Sequence, residues 1–291
     1  MKYRIGWIIF LFHICTVLFS QDKQEENSLL WRISGNGLPK TSYLFGTLHS
    51  LCRRDASLSD SVRFAIKTSE KVYLEIDQTD RSLKQIQSLM KMQNDTTFAD
   101  LLNEKDYESL KRVFKKNDKI IPFSILKKYK PYLAYNLLPA YVKYCITSIS
   151  MEKLIVRQAK RNNKPIAGLE TVEELTAIFD ELSYKTQAEE LVKRINMIGD
   201  RDEAKVKKIW DIYENQNLGD IEKLIELTDI GLPEFLNGLI YNRNHKWAEQ
   251  LQTILSRESL LIAIGVWHLP GKKGLINLLR QKGYTVEPIK N

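Results

Sequence analysis

Two segments, far apart in the chain, each place a histidine three residues after a glycine at the end of an apolar run. In SYLFGTLHSL, Gly46 is followed by His49. In LLIAIGVWHLPG, Gly265 is followed by His268. Functional side chains gather past the carboxyl ends of parallel strands, so the two imidazoles converge if the two runs are neighbouring strands. A glycine at such a position lets the chain turn sharply, close to a bound group.

Two neutral imidazoles and one carboxylate are typical ligands of a catalytic divalent metal with an open position for water. Such an ion polarises a carbonyl and lowers the pKa of water. The chain has 4 histidines, and two of the three that follow His13 occupy the repeated frame. This donor set is compatible with Zn, Mn, Co or Fe. The ordinary alternative is that each histidine is only a turn residue.

Three glutamates near the ends of predicted strands are candidates for the carboxylate: Glu75, Glu170 and Glu287. Apolar residues flank Glu75, and an acid in such a place is costly unless it is paired or bound to a metal. Its alternative is an edge-strand position that faces water. Glu170 could equally cap the helix that follows it, and we expect Glu287 in solvent.

The segment NRNHKWA offers Arg243 and Asn244 on a predicted helix. An arginine beside a metal could hold a substrate carboxylate or stabilise an oxyanion. The ordinary alternative is a surface arginine beside a core Trp247, and the residues alone favour it. We expect His245 on the surface.

The pattern of elements predicts one α/β domain, residues 21–291, with a β-α-β unit at each end. The first unit runs from the strand SYLFGT to the strand KVYLEID, and the last runs from SLLIAIG to YTVEPI. Between them, at about residues 82–240, apolar residues recur at helical spacing. This stretch predicts a large helical insertion, which the strand KPIAGLET interrupts. A long helix opened by Pro233 follows it.

The N-terminus has the pattern of a secretory signal peptide. Lys2 and Arg4 precede the apolar run 5–19, which is short for a membrane span, and Ser20 suits cleavage after residue 20. The alternative is an uncleaved anchor. We therefore expect an exported protein, periplasmic or secreted, that has no membrane contact after cleavage.

Export changes the interpretation of the cysteines. Cys52 and Cys145 remain after cleavage, and in an oxidising compartment they could form a disulfide. Because Cys52 follows His49 by three residues, a zinc-ligand role is the alternative.

Composition is that of a globular protein: 43% of residues are hydrophobic and 27% are charged. The formal charge of +8 is spread among acids. Since no dense basic run with aromatic residues is present, we expect no nucleic-acid partner.

The chain resembles the TraB/GumN family. The segments that carry the resemblance are LLWRISGNGLPKTSYLFGTLHS, KVYLEID, KPIAGLET, NRNHKWA and LIAIGVWHLPGKKGLINLLRQKGYTVEPI. They extend from about Leu29 to Ile289. The family is similar to the TIKI metalloproteases and, more distantly, to the ChaN and erythromycin-esterase-like group, which implies a fold of that kind.

The resemblance also implies a residue for each role. The motif histidines correspond to His49 and His268, with Gly46 and Gly265 as turn residues. The acid after the first unit corresponds to Glu75, and the acid in GLET corresponds to Glu170. The Arg-Asn pair before the tryptophan corresponds to Arg243 and Asn244.

The function expected on this basis is an exported metal-dependent hydrolase that acts as a peptidase. His49, His268 and Glu75 would hold the metal, and Glu170 would be the general base or an alternative ligand. Arg243 and Asn244 would hold the oxyanion or the substrate, which is a peptide or a small molecule. Two alternatives stay open. One is a binding protein for a metal or metallo-cofactor without turnover, and the other is an esterase that uses a histidine base without metal.

Overall fold

The computed structural model describes residues 27–49, 51–52, 56–77, 80–116, 121–141, 148–198, 211–227 and 236–291. The expected signal peptide and Cys145 lie outside these ranges, and the side chain of Cys52 is not described either. The leader, its cleavage and the disulfide therefore stay predictions. Among the described residues, no helix combines the length and the apolar composition that a bilayer span requires.

A mixed six-stranded sheet forms the centre of the described chain, in the order β6-β4-β7-β2-β1-β8. Its strands are β1 (Leu30–Ser34), β2 (Ser42–Thr47), β4 (Lys71–Leu74), β6 (Ile166–Gly168), β7 (Leu260–Gly265) and β8 (Thr285–Ile289). Two short strands, β3 (Leu51–Cys52) and β5 (Ser148–Ile149), pair separately and antiparallel.

The helices cover both faces of the sheet and make up most of the chain between β4 and β7. They are α1 (Asp60–Thr68), α2 (Asp80–Leu89), α3 (Phe98–Leu101), α4 (Glu104–Lys115), α5 (Phe123–Leu126), α6 (Pro131–Tyr141), α7 (Met151–Arg161), α8 (Val172–Asp180), α9 (Tyr184–Ile198), α10 (Leu218–Leu227), α11 (Arg243–Leu255) and α12 (Leu275–Gln281). The mixed α/β class is confirmed, and the bounds of the insertion stay a prediction.

The two strands that carry the Gly-x-x-His segments are direct neighbours. β2 pairs in parallel with β7, and Thr47 lies opposite Gly265. On the other side, β7 pairs in parallel with β4, which pairs in parallel with β6. All six residues of β7 are buried, as expected of a strand with a neighbour on each edge and helices over both faces. Four parallel strand ends therefore lie side by side.

Helix α11 does not begin as the sequence predicts. Pro233 lies outside the described residues, and the chain from Asn237 to Asn242 is a π-helix that leads directly into α11. Single π-helical turns inside helices occur often at functional sites. The predicted long helix is therefore two segments with different windings.

The two motif glycines serve close packing. Neither has a positive φ, so the sharp turn expected of them is not what requires glycine. A Cβ built on Gly46 would lie 2.6 Å from Leu269 Cδ1 and 3.0 Å from Val266 Cγ2, in the turn that carries the second histidine. The Gly46 carbonyl also accepts a hydrogen bond of 2.9 Å from the Tyr213 hydroxyl. Gly46 thus allows the β2 backbone to pack against the turn after β7.

We predict that Gly46→Ala destabilises the protein by about 1–3 kcal/mol, because a methyl group overpacks a buried contact. Urea unfolding followed by circular dichroism measures the change. Thr41→Ala, an exposed position just before β2, is the control and should change stability little. Equal stability of the Gly46→Ala variant and the wild type would contradict the packing argument.

Candidate active site

Four polar side chains emerge at the carboxyl ends of the four neighbouring parallel strands. Glu170 follows β6, Glu75 follows β4, His268 follows β7 and His49 follows β2. The backbone continues the pairing past the strands, since the Glu170 N–H donates to the Glu75 carbonyl at 3.0 Å. The order of the strands thus sets the order of these side chains along one edge of the sheet.

Glu75 is the acceptor that links most of these groups. Its Oε1 accepts from the Gly265 backbone N–H at 2.7 Å and lies 4.0 Å from His49 Nε2 and 3.9 Å from His268 Nε2. Its Oε2 accepts from Arg243 Nη2 at 2.6 Å. Burial raises the pKa of this carboxyl, but Arg243 and the two imidazoles outweigh burial and hold the pKa well below its usual range. Glu75 is therefore a mostly buried carboxylate, with 14% of its side chain exposed, and not a solvent-facing edge residue.

Arg243 is buried and holds two carboxylates together. Its Nε donates to both oxygens of Glu170 at 3.1 Å, and its Nη2 donates to Glu75 Oε2 and to Glu170 Oε1. Its Nη1 donates to the Leu239 carbonyl at 2.8 Å, in the π-helix, and the guanidinium lies over the ring of Trp247. The alternative of a surface arginine is wrong, because the Arg243 side chain is buried and its positive charge balances two carboxylates there.

Asn244 determines the tautomer of His268. The amide nitrogen donates to the carbonyls of His268 and Lys273 at 3.2 and 2.9 Å, so the amide oxygen faces His268 Nδ1 at 2.7 Å. Nδ1 must then carry the proton, so Nε2 is the acceptor of the ring and faces the Arg243 Nη1 donor at 3.2 Å. Burial lowers the pKa of His268 to about 3, so the ring is neutral at pH 7.

The expected contact between Asn244 and an oxyanion or substrate is wrong. Its side chain is fully buried, and both N–H groups and the oxygen already have partners. Asn244 instead orients a histidine.

His49 has an acidic partner that the sequence analysis missed. His49 Nδ1 lies 2.9 Å from Glu152 Oε1, which also accepts from the Thr47 hydroxyl at 2.5 Å. A protonated Nδ1 leaves Nε2 directed toward Glu75. Partial desolvation of the ring lowers the pKa of His49, but the Glu152 carboxylate beside Nδ1 outweighs it and raises the pKa to about 9. Because 66% of the side chain is exposed, water screens this pair, and it adds little to stability.

A helical-periodicity argument could have found Glu152. On α7 the buried positions include Glu152, Ile155 and Ala159, which form one stripe at three- and four-residue spacing. An acid on the apolar stripe of a helix needs a partner. No comparable signal marked Tyr213, whose hydroxyl contacts the Gly46 carbonyl and Met151 Sδ through long-range hydrogen bonds.

Two of the other candidates lie away from this cluster. Glu287 on β8 is exposed and pairs with Arg32 at 2.7 Å, and His245 is exposed on α11, both as expected. Glu170 does not cap α8, because Thr171 accepts from the Glu174 N–H and forms the capping box with it.

The two imidazoles and the carboxylate of Glu75 are the donor types of a divalent-metal site, but they lie farther apart than the ligands of a bound ion. Tetrahedral ligands of Zn²⁺ lie about 3.4 Å apart, so each imidazole would need to approach Oε1 by about 0.5 Å. In keeping with this, no group of three or more His, Cys, Asp or Glu side chains among the described residues lies close enough to hold an ion.

Space and charge both favour a cation between these donors. A Cβ built on Gly265 would lie 3.4 Å from His49 Nε2, 3.0 Å from Glu75 Oε1 and 3.7 Å from His268 Cδ2, so only glycine leaves this space open. The cluster also contains three carboxylates, one guanidinium and a His49 imidazole that is protonated at pH 7, which leaves one negative charge. The residues present therefore have the donor types and the charge that suit a divalent cation, at a spacing wider than an ion requires.

Comparison with known proteins places the chain in a family. The model of the TraB/PrgY/gumN family matches residues 29–288. The chain belongs to the TraB/PrgY/gumN family.

Among curated relatives, Metalloprotease TIKI2 of Danio rerio is 24% identical over 91% of this chain and 61% of its own length. A Metalloprotease TIKI homolog of Nematostella vectensis is 23% identical over 93% and 69%, and Metalloprotease TIKI1 of Homo sapiens is 22% identical over 91% and 62%. The chain thus spans about three fifths of the length of the first of these relatives. No solved structure matches the chain.

For this TraB/PrgY/gumN protein we predict that Gly265→Ala weakens Zn²⁺ binding by about tenfold or more, because the methyl group occupies the space between the donors. Isothermal titration calorimetry measures the affinity. Backbone angles of φ −52° and ψ 134° suit alanine, so the melting temperature should change little. Undiminished Zn²⁺ affinity would show that an ion does not bind in this space.

We also predict that Glu152→Ala weakens Zn²⁺ binding by about 10- to 100-fold, since a partner that orients a ligating histidine is lost. Glu152→Gln keeps an acceptor oxygen for Thr47 and His49, so it should lose less. Glu189→Ala, an exposed acid on α9, is the matched control. The same calorimetric titration measures all three, and equal affinities for the Ala variant and the control would refute the orienting role.

Proposed function

We propose that this protein is an exported metal-dependent hydrolase that cleaves peptides. The observation that carries the proposal is the convergence of two imidazoles on one buried carboxylate at adjacent parallel strand ends. The printed names of the relatives, metalloproteases, support the same chemistry. Because the chain spans only part of their length, activity and substrate belong to the proposal.

In this proposal His49 Nε2, His268 Nε2 and Glu75 Oε1 hold the ion. A divalent cation supplies a Lewis acid there, which polarises a carbonyl oxygen and lowers the pKa of water. Zn, Mn, Co and Fe all accept such donors. The fold that goes with this site is the arrangement of the ChaN and erythromycin-esterase-like group.

The surrounding residues orient the donors and handle protons. Asn244 and Glu152 each hold the Nδ1 side of one imidazole, so both Nε2 atoms point into the site. Arg243 Nη1 donates to the Leu239 carbonyl and to His268 Nε2, so the guanidinium favours negative charge on a substrate oxygen through its charge and not through a free N–H. Burial raises the pKa of Glu170, which brings this carboxylate toward the range of a general base at neutral pH.

A second candidate, a metal-independent esterase, is favoured by the His49–Glu152 pair. An exposed imidazole whose Nδ1 faces a buried carboxylate has the arrangement of a general base and its orienting acid. Such an enzyme would need no cation between the imidazoles. A third candidate, a protein that binds a metal or metallo-cofactor without turnover, would use the same ligands.

We predict that the purified protein hydrolyses peptides from a mixed library only with a divalent cation, and that His49→Ala and His268→Ala each abolish both the activity and stoichiometric metal binding. His245→Ala, the exposed histidine on α11, is the control and should retain both. Mass spectrometry of the peptides and elemental analysis of the protein give the two measurements.

The outcomes separate the three candidates. Metal bound through both histidines without hydrolysis of peptides or esters favours the binding protein. Ester hydrolysis that survives complete chelation and is lost in His49→Ala favours the metal-independent esterase. Metal binding that survives both histidine substitutions contradicts the proposed site.

A further inference from the structure

A cleft of about 710 Å³ opens directly beside the candidate site. Its floor includes Gly168, Leu169 and Glu170, just past the end of β6, and its walls come from α2, α8 and α11. Glu170 is thus shared between the cleft and the cluster around Arg243. A substrate held at the cluster has this space next to it.

One face of α11 connects the cluster with the far end of the cleft. Arg243, Lys246 and Gln250 lie at positions i, i+3 and i+7, and the latter two line the cleft. At a rise of 1.5 Å per residue, this stripe is about 10 Å long. An extended peptide covers that length with about three residues. The cleft therefore has the dimensions of a groove for several residues on one side of a scissile bond.

The charged side chains that line the cleft are engaged, with one exception. Lys246 pairs with Glu174 at 2.5 Å, and Glu173 accepts from Gln85. Glu170 is held by Arg243, and Asp77 accepts from Ser82. Arg81 lines the same cleft, is exposed, and makes no hydrogen bond or ion pair with any described residue.

We propose that the cleft binds a segment of the peptide substrate and that Arg81 binds a carboxylate of that segment. The carboxylate could be an acidic side chain or the free C-terminus of the peptide. This inference rests on the proposed function and names its substrate class: peptides that carry a carboxylate a few residues from the bond that is cleaved. A planar guanidinium suits the recognition of a carboxylate through two parallel hydrogen bonds.

The location of Arg81 supports this role. It lies in the first turn of α2, where the positive end of the helix dipole adds to its charge. The other cation in the cleft, Lys246, is already neutralised by Glu174. A substrate anion therefore finds one free cationic group along the cleft in the part of the chain that the structure describes. Because the group is exposed, we expect a modest preference that weakens with salt.

The test uses fluorescein-labelled peptides of Ala and Ser. In one series a single Glu occupies each position in turn, and a matched peptide carries Gln at the same position. In a second series the C-terminus is either a free acid or an amide. Fluorescence anisotropy with chelator measures binding to the full chain without turnover, and cleavage is scored separately with Zn²⁺. We expect a carboxylate at one position, or at the C-terminus, to strengthen binding about fivefold. The Glu series and the C-terminal series distinguish the two sources.

Substitutions decide whether Arg81 is responsible. Arg81→Gln should abolish the preference for the carboxylate peptide, and Arg81→Lys should retain part of it. Arg257→Gln, an exposed arginine after α11, should change nothing. Since Arg81 is exposed and without a partner in the described structure, its variants should fold normally, which thermal unfolding checks.

The result that overturns the inference is equal binding of Glu and Gln peptides and of acid and amide forms, or a preference that survives Arg81→Gln. Absence of binding by every peptide also overturns it. A preference that is lost in Arg81→Gln, without Zn²⁺-dependent cleavage of any peptide, supports the inference about the cleft and counts against the proposed peptidase. The two failures are therefore distinguishable.

Discussion

The buried guanidinium of Arg243 is the interaction on which the site depends. Glu75 and Glu170 lie side by side because β4 and β6 are adjacent. Burial raises the pKa of Glu170, and repulsion from the Glu75 carboxylate raises it further. Arg243 neutralises this repulsion, since its Nη2 donates to both carboxylates and its Nε donates to Glu170. Removal of one partner from a buried ion pair typically costs about 3–5 kcal/mol. Because the arginine holds Oε2 of Glu75, Oε1 stays directed toward the two imidazoles, and the same contact serves both stability and chemistry.

Each of the two histidines is oriented by a hydrogen-bond partner at its Nδ1, and the two partners differ. Asn244, a neutral amide, holds Nδ1 of the buried His268, and Glu152, a carboxylate, holds Nδ1 of the more exposed His49. Burial suits a neutral partner, since an additional buried charge is costly, while an imidazole near water tolerates an ionic one. The two rings therefore present the same nitrogen to the site although their surroundings differ.

Much of the site could be predicted from sequence because local signals mark it. The apolar runs before Gly46 and Gly265 predicted two strands, whose histidines would converge if the strands were neighbours, and the acid at Glu75 interrupts a buried pattern. The partner of each imidazole could not be predicted in this way. Glu152 and Asn244 lie on helices, and which strand end a helix face meets depends on packing across the whole domain. The π-helix before Arg243 could not be predicted either, because its winding depends on how that turn packs against the rest of the protein and not on a residue pattern.

Adjacency of β2 and β7 has a consequence for how the protein is made. These strands are separated by most of the chain, so their pairing closes a very long loop, and such non-local contacts form late and slowly in folding. A ribosome must release nearly the whole polypeptide before the second histidine can meet the first. The cluster around Glu75 therefore stays incomplete until the last segment of the chain has been made, and the order of synthesis itself delays its assembly.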